Sequence, residues 1–315
     1  MIDFKALDMP LYREVGGKLE LVKEVKFALE RDLQKIAEKN METVFGLKVI
    51  SSEFQLQNFR IDTLAFDEEN KSFVVVEYKR GKSFSVVDQG YSYLSLMLNN
   101  KADFILEYNE KMKDNLKKDD VDWSQSRVVF VSNRFTNYQQ TAINFKDLPI
   151  ELWEAKKYDN DVVLFNQVKA ASSSESIKTV SKNKTIESVS REVKTYSVDD
   201  HFKEGWDHSR ELFDELRGRI LELDERVVEK AVKSYIGYQI DGKVVVGIDV
   251  YKTGLRIGLN RVQPKDLRDP EKRVKYKKNS KKFYGKHISR FKVENMEDID
   301  YAMSLIRQVY EKFFG

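Results

Sequence analysis

Glu77 and Lys79 close an apolar run, Phe73-Val74-Val75-Val76, and that placement is the chemistry-bearing feature of the chain. β-Branched and aromatic residues in such a run predict a buried strand. Side chains alternate along a strand, so Glu77 and Lys79 share one face and Tyr78 takes the other. An acid and a base at the end of an apolar strand are costly to bury unless they are paired or hold a metal. Asp62 lies in a second short alternating stretch, with Arg60 on its face. If the two stretches are neighbouring strands, Asp62 and Glu77 offer converging carboxylate oxygens. Hard divalent ions take such ligands, commonly one or two carboxylates completed by water and substrate phosphate. Plainer readings compete: an ordinary same-face ion pair for Glu77 and Lys79, and a turn-bonding strand end for Asp62.

The elements that must position these residues follow from periodicity. Residues 1–20 read as an arm with a hairpin through Gly16-Gly17, and 21–45 as a helix stopped by Gly46. Strands are expected near 47–55, 58–66 and 72–79, followed by a break at Gly81. A helix over 85–99 carries Gln89 and Tyr93 one turn apart. Strands near 102–108 and 127–132, a helix or turn over 136–145, and strands near 149–155 and 161–165 complete this part. Helices with strands in this order predict an α/β sandwich around a mixed sheet. Residues 167–198 are rich in Ser, Thr, Lys and Glu, with no aromatic until Tyr196, and read as a tether, with room for some extended or helical order. The expected organisation is a domain over 1–166, a linker over 167–199 and a smaller α+β domain over 200–315.

Together these residues resemble the PD-(D/E)XK nuclease superfamily, in which an Asp and then an acid-x-Lys on the next strand hold a metal for phosphodiester cleavage. The match is Asp62, then Glu77-Tyr78-Lys79, with Gln89 and Tyr93 on the following helix. The nuclease domain of the NucS-type endonucleases is the most similar. Its "RID…ExKRG…Q" pattern reads here as Arg60-Ile61-Asp62, Glu77-Tyr78-Lys79-Arg80-Gly81 and Gln89, within roughly residues 20–110. The resemblance implies a restriction-endonuclease-like fold and a metal-dependent nuclease. Asp62, Glu77 and the Tyr78 backbone carbonyl would ligate Mg²⁺, with Mn²⁺ the alternative. Lys79 would hold the attacking water or stabilise the phosphate, and Gln89 would orient it. Glu30, in ALERDLQK, is the candidate for the first-helix acid that many members carry. Tyr93 would brace Gln89 or touch the nucleic acid. Arg60, Arg80 and Lys82 flank the site as expected backbone contacts. The expected partner is nucleic acid, with DNA preferred, and a homodimer would let two sites nick both strands.

Composition bounds these expectations. The chain has 315 residues, enough for two domains, and 41% of them are hydrophobic. It has no cysteine, which excludes disulfides, thiolate catalysis and Cys-ligated zinc. Three scattered histidines exclude a His-rich metal cluster. No apolar run is long enough to span a membrane, and the opening MIDFKALDMPLY lacks signal-peptide form. A soluble cytoplasmic protein is the expectation. The net charge of +3 is small, so a nucleic-acid surface must be local.

One stretch has such local charge. Residues 261–292 carry Arg261, Lys265, Arg268, Lys272, Arg273, Lys275, Lys277, Lys278, Lys281, Lys282, Lys286, Arg290 and Lys292, with only Asp266, Asp269 and Glu271 opposing. Tyr276, Phe283, Tyr284 and Phe291 are interleaved. Basic residues neutralise phosphates and aromatic rings stack on bases, so Lys272, Arg273, Lys275, Lys277, Lys278, Lys281 and Lys282 are the candidate contacts. The competing reading is a solvated loop anchored by its rings. Around it, helices over 205–217 and 222–234, strands over 236–240, 243–251, 255–259 and 289–293, and a helix over 296–314 are expected, with Trp206 in the core. This part resembles uncharacterised C-terminal domains that follow nuclease-like domains, some labelled predicted transport proteins. Nothing in the sequence supports transport. The second functional reading is a non-catalytic protein on a nuclease fold that binds nucleic acid or senses an effector.

Overall fold

The computed structural model describes residues 10–79, 85–145, 147–159, 161–169, 176–177 and 183–315, without the side chains of Lys282 and Phe283. It begins with an antiparallel hairpin, β1 (Tyr12–Val15) and β2 (Lys18–Leu21), in which Val15 faces Lys18. Only Gly16 and Gly17 make the turn, at φ 59° and 79°, and a type I′ turn needs φ > 0 at both positions.

The helix expected from residue 21 starts nine residues later, as α1 (Glu30–Lys39), and breaks at Asn40 before α2 (Met41–Phe45). The preceding stretch is drawn into a sheet instead: β3 (Glu24–Val25) pairs with Tyr158 and Lys157. Gly46 ends α2 in the left-handed conformation.

The central elements follow in order: β4 (Lys48–Leu56), β5 (Phe59–Asp67), β6 (Ser72–Lys79), α3 (Val86–Asn99), α4 (Lys101–Met112), β7 (Arg127–Ser132), α5 (Asn137–Ala142), β8 (Ile150–Tyr158), β9 (Val163–Val168) and α6 (Lys184–Glu192). The sheet order is β3-β8-β7-β6-β5-β4, with β9 also on β8. Strands β4, β5 and β6 are antiparallel, whereas β6, β7 and β8 are parallel, so the sheet is mixed and the fold is α/β. β6 is central and covered on both faces, which explains its unbroken apolar run. Phe73 and Val75 enter the core shared with α3 and α4, and Val74, Val76 and Tyr78 enter the core shared with α1.

Residues 102–108, expected as a strand, lie in α4. Phe104 and Tyr108, one turn apart, are its buried residues. Helical spacing therefore wins over the short apolar alternation. Phe104 meets Phe54 and Phe73 edge-on at 5.4 and 5.7 Å.

The tether expected over 167–199 also differs. It contains α6, and Ile177, Ile186, Val189 and Val193 are buried in the same core as Phe73. Their spacing marks an amphipathic helix whose few apolar residues fall on one side, packed on α3.

A second sheet has the order β10 (Val228–Val232), β11 (Tyr235–Ile240), β12 (Lys243–Tyr251), β13 (Gly254–Asn260), β15 (Ile288–Val293) and β14 (Lys275–Tyr276), all antiparallel. α7 (Asp207–Leu221) and α9 (Asp298–Phe313) pack on its one face over Val246, Ile248, Ile257 and Phe291. α8 (Ser280–Tyr284) lies in the connection between β14 and β15. The helix expected over 222–234 ends at Leu221, and its second half is β10, paired with β11. Trp206 is only partly buried, not a core residue. Among the described residues no helix is long and apolar enough to cross a membrane.

Candidate active site

Thr63 pairs with Val76, so the next residues outward on β5 and β6 are Asp62 and Glu77. The pleat sends Glu77 and Lys79 to the α3 side, as the alternation requires. Glu77 is 3% exposed. Its Oε1 accepts from Lys79 Nζ at 2.6 Å and from Gln89 Nε2 at 3.3 Å. Its Oε2 is buried and meets no donor at hydrogen-bond geometry. Asp62 Oδ2 accepts the Tyr78 backbone N–H at 3.0 Å. Burial, then repulsion from Glu77, pushes the Asp62 carboxyl up to about 6.

α3 brings Gln89 into reach by two local devices. Ser85 caps the helix by accepting from Asp88 N–H at 3.2 Å. Gly90 faces the sheet, where a Cβ would meet Ile150 Cδ1 at 2.5 Å, so a larger residue would have to push the Ile150 side chain aside. Tyr93 is one turn beyond, with its hydroxyl 3.5 Å from Gln89 Nε2. Burial, then the Glu77 charge, pushes the Tyr93 phenol far up, so it remains a neutral hydroxyl.

Asp62, Glu77, Lys79, Gln89 and Tyr93 are therefore together. Glu30 is exposed at the start of α1. Gln34, one turn along α1, is the residue that sequence reasoning missed. It is buried and donates from Nε2 to the Asp62 backbone carbonyl at 3.0 Å and to Ser52 Oγ at 3.3 Å. Glu38 follows one turn later, receiving Thr63 Oγ1 at 2.5 Å. The available signal was a glutamine between Leu33 and Ala37 on the apolar face of a helix. Arg60 is paired with Glu53 at 3.0 Å, and Arg80 and Lys82 lie outside the described residues.

The donor set fits a hard divalent ion. Among the described residues two carboxylates and one ammonium leave an excess negative charge at a partly buried site, and Glu77 Oε2 accepts no hydrogen bond at full geometry. Among the described residues no three or more His, Cys, Asp or Glu gather as a metal cage, at this site or elsewhere, so the two carboxylates stand without a third. A two-carboxylate site is the Mg²⁺ pattern, completed by water and substrate.

The basic stretch divides. Arg273 is occupied within the fold: it reaches Asp298 at 2.7 Å and the Lys292 carbonyl at 2.7 Å, and lies 5.1 Å over the Tyr301 ring. Asp269 organises this loop by accepting the Val274 and Arg273 N–H groups and the Tyr301 hydroxyl. Lys277 lies over Tyr284 at 3.9 Å, and Phe291 is core. Lys272, Lys275, Lys278 and Lys281 are exposed, and the Lys282 side chain lies outside the description.

An uncharacterized protein of Haemophilus influenzae is 42% identical over 301 residues, covering 95% of this chain and 99% of that one. The chain belongs to the same family as that protein. Residues 198–312 match the model of a Domain of unknown function (DUF5655), which takes in the whole second sheet with α7 and most of α9. Among solved structures, a repair endonuclease from Pyrococcus abyssi is similar over 36% of this chain and 42% of its own, less than half of its length. The identity is 19% and the TM-score 0.21, a likeness too slight to decide anything about this chain.

Proposed function

We propose that the protein is a metal-dependent nuclease that hydrolyses phosphodiester bonds, with DNA the favoured substrate. The observation that carries this reading is Glu77: a buried carboxylate with one oxygen held by Lys79 and Gln89 and the other meeting no donor at full hydrogen-bond geometry, with the Tyr93 hydroxyl close by, beside an Asp62 whose charge burial disfavours. Asp62 and Glu77 would hold Mg²⁺ or Mn²⁺, which when bound neutralises phosphate charge and acidifies water. Lys79, about a quarter exposed, can turn from Glu77 toward the pocket and donate to a phosphate oxygen as negative charge builds there. Gln89 fixes the Glu77 carboxylate from the helix, and Gln34 fixes Asp62 through its carbonyl. The exposed lysines Lys272, Lys275, Lys278 and Lys281 supply a further grip on the phosphate backbone.

The test is cleavage of labelled single-stranded and duplex DNA and of RNA, in Mg²⁺, Mn²⁺ or EDTA. Metal-dependent cleavage by the wild type, lost in folded Glu77→Ala and Lys79→Ala, is the expected result. Equal cleavage by the wild type and both variants would sink the assignment, and so would none by the wild type on any substrate.

A further inference from the structure

Between the two sheets lies a cavity of about 680 Å³, lined from one side by the β5–β6 turn and from the other by the face of the second sheet opposite α7 and α9, with Tyr284 of α8, His201 and Trp206 at its edges. That size is within the range of small-molecule sites. Its floor is unusual in composition. A single cross-strand row runs Gly237, Gly247, Gly258, Arg290, so three neighbouring strands bring no side chain to the surface. The Tyr235 ring occupies the space over the first two: a Cβ at Gly237 would meet it at 2.9 Å and one at Gly247 at 3.1 Å. Over Gly258 the nearest atom to a Cβ is 3.5 Å away, an ordinary contact, and the space beyond is open cavity. A bare backbone floor with one ring beside it leaves a flat slot.

The walls hold cations that acids do not consume. Arg256 lies over Tyr251 at 4.5 Å and Lys277 over Tyr284 at 3.9 Å, each charge resting on a ring face. Asp249 is the carboxylate between Arg256 and Arg290, at 4.0 and 3.9 Å, the outer limit for an ion pair. Two guanidiniums and an ammonium thus share Asp249 at long range, while Asp122 and Asp200 also line the cavity together with Lys71, Lys203 and Lys233. Glu69, on the β5–β6 turn, is clamped by Arg261 and Lys286 and closes one side. Planar guanidinium forks suit phosphate oxygens, and the slot over Gly258 suits a flat ring.

We infer that this cleft binds a small phosphorylated ligand bearing a ring, a nucleotide by class, with its phosphate on Arg256 and Arg290 and its ring over Gly258 beside Tyr235. The inference is independent of the metal site. It is tested by calorimetric titration of the full chain with the four mononucleotides, ribose 5-phosphate and inorganic phosphate. The expected result is that at least one mononucleotide binds about tenfold or more tighter than inorganic phosphate. Gly258→Val, which fills the slot, and Arg256→Gln, which removes a fork, should each weaken it by about tenfold or more with the melting temperature kept. If Gly258→Val does not fold, Arg256→Gln and Arg290→Gln decide. No mononucleotide binding at about 10 mM, binding of inorganic phosphate alone, or full affinity in the folded variants would each overturn the assignment.

Discussion

Asp62→Asn should stabilise the metal-free protein while destroying its use of metal. The Asp62 carboxyl is raised from 3.8 to about 6 by burial and by Glu77. Between those values the folded state holds a proton that the unfolded state lacks, so stability falls as pH rises through this window. This is the reverse of a salt-bridged aspartate. A shift of about two units is worth about 3 kcal/mol at most, and partial solvent access trims that to about 1–2 kcal/mol. Asn keeps an acceptor for the Tyr78 N–H and removes the charge. The melting temperature in EDTA should therefore rise by a few degrees near neutral pH, and by nothing near pH ~4, where the folded carboxylate is already neutral. In the wild type, Mg²⁺ or Mn²⁺ should supply the missing compensation and raise the melting temperature, more strongly above pH ~6 than below it. In the variant that metal response should vanish together with cleavage. Calorimetry at both pH values, with and without metal, reads all of this. A lower melting temperature for the variant in EDTA near neutral pH, or an equal rise at both pH values, would refute the account of Asp62 as a carboxylate kept charged against its surroundings.

Three further outcomes follow from the same geometry. Lys79→Met should retain Mn²⁺ binding by titration but lose cleavage by about 10²–10³-fold, because its charge acts on the phosphate rather than the metal. Gln34→Leu should leave the Asp62 carbonyl without its buried donor, cost about 1–3 kcal/mol in denaturant melts and lower cleavage without abolishing metal binding. Changing Lys275, Lys278 and Lys281 together to Gln should flatten the dependence of log affinity for duplex DNA on log salt by about 2–3, one phosphate contact for each. An unchanged slope would assign those lysines to solvent.

What was legible in the sequence is what local periodicity encodes. β5 and β6 fall near the expected ranges because their apolar runs are bounded by turn residues, and the Glu77–Lys79 side follows from alternation alone. α3 was legible because Ser85 and Asn99-Asn100 bracket it. The misreadings arise where tertiary pairing outweighs local pattern. Glu24 and Val25 join a sheet edge supplied by residues more than a hundred positions later. Residues 228–232 become a strand because β11 offers a partner, although Glu, Lys and Ala there favour helix. Gln34 was hidden because its role goes through a backbone carbonyl on another element. The cleft was hidden for a related reason: Gly237, Gly247 and Gly258 are ten and eleven residues apart, and only the antiparallel register aligns them.

The expectation of a free tether fails for an electrostatic reason as well as an apolar one. Arg127, at the start of β7, is buried between Asp67 at 2.8 Å and Glu151 at 2.7 Å, and Lys230 comes to this group from the second sheet. Two acids and two bases thus meet where the sheets face each other, and sliding one sheet would leave buried charges unmatched. The two cations do not contribute alike. Burial works against the charge on both, but Glu151 and Asp67 outweigh it for Arg127, whose ionisation is held above the usual range. For Lys230 they do not, because Arg127 repels it, and its ionisation is held below. Arg127→Met should therefore cost about 3–5 kcal/mol in a denaturant melt, since it strands Asp67 and Glu151. Lys230→Met should cost far less, because what it removes is a charge already disfavoured where it sits. Equal losses for the two variants would mean that Lys230 neutralises the layer as much as Arg127 does, and the register of the two sheets would then rest on a contact between them as well as on one within the first.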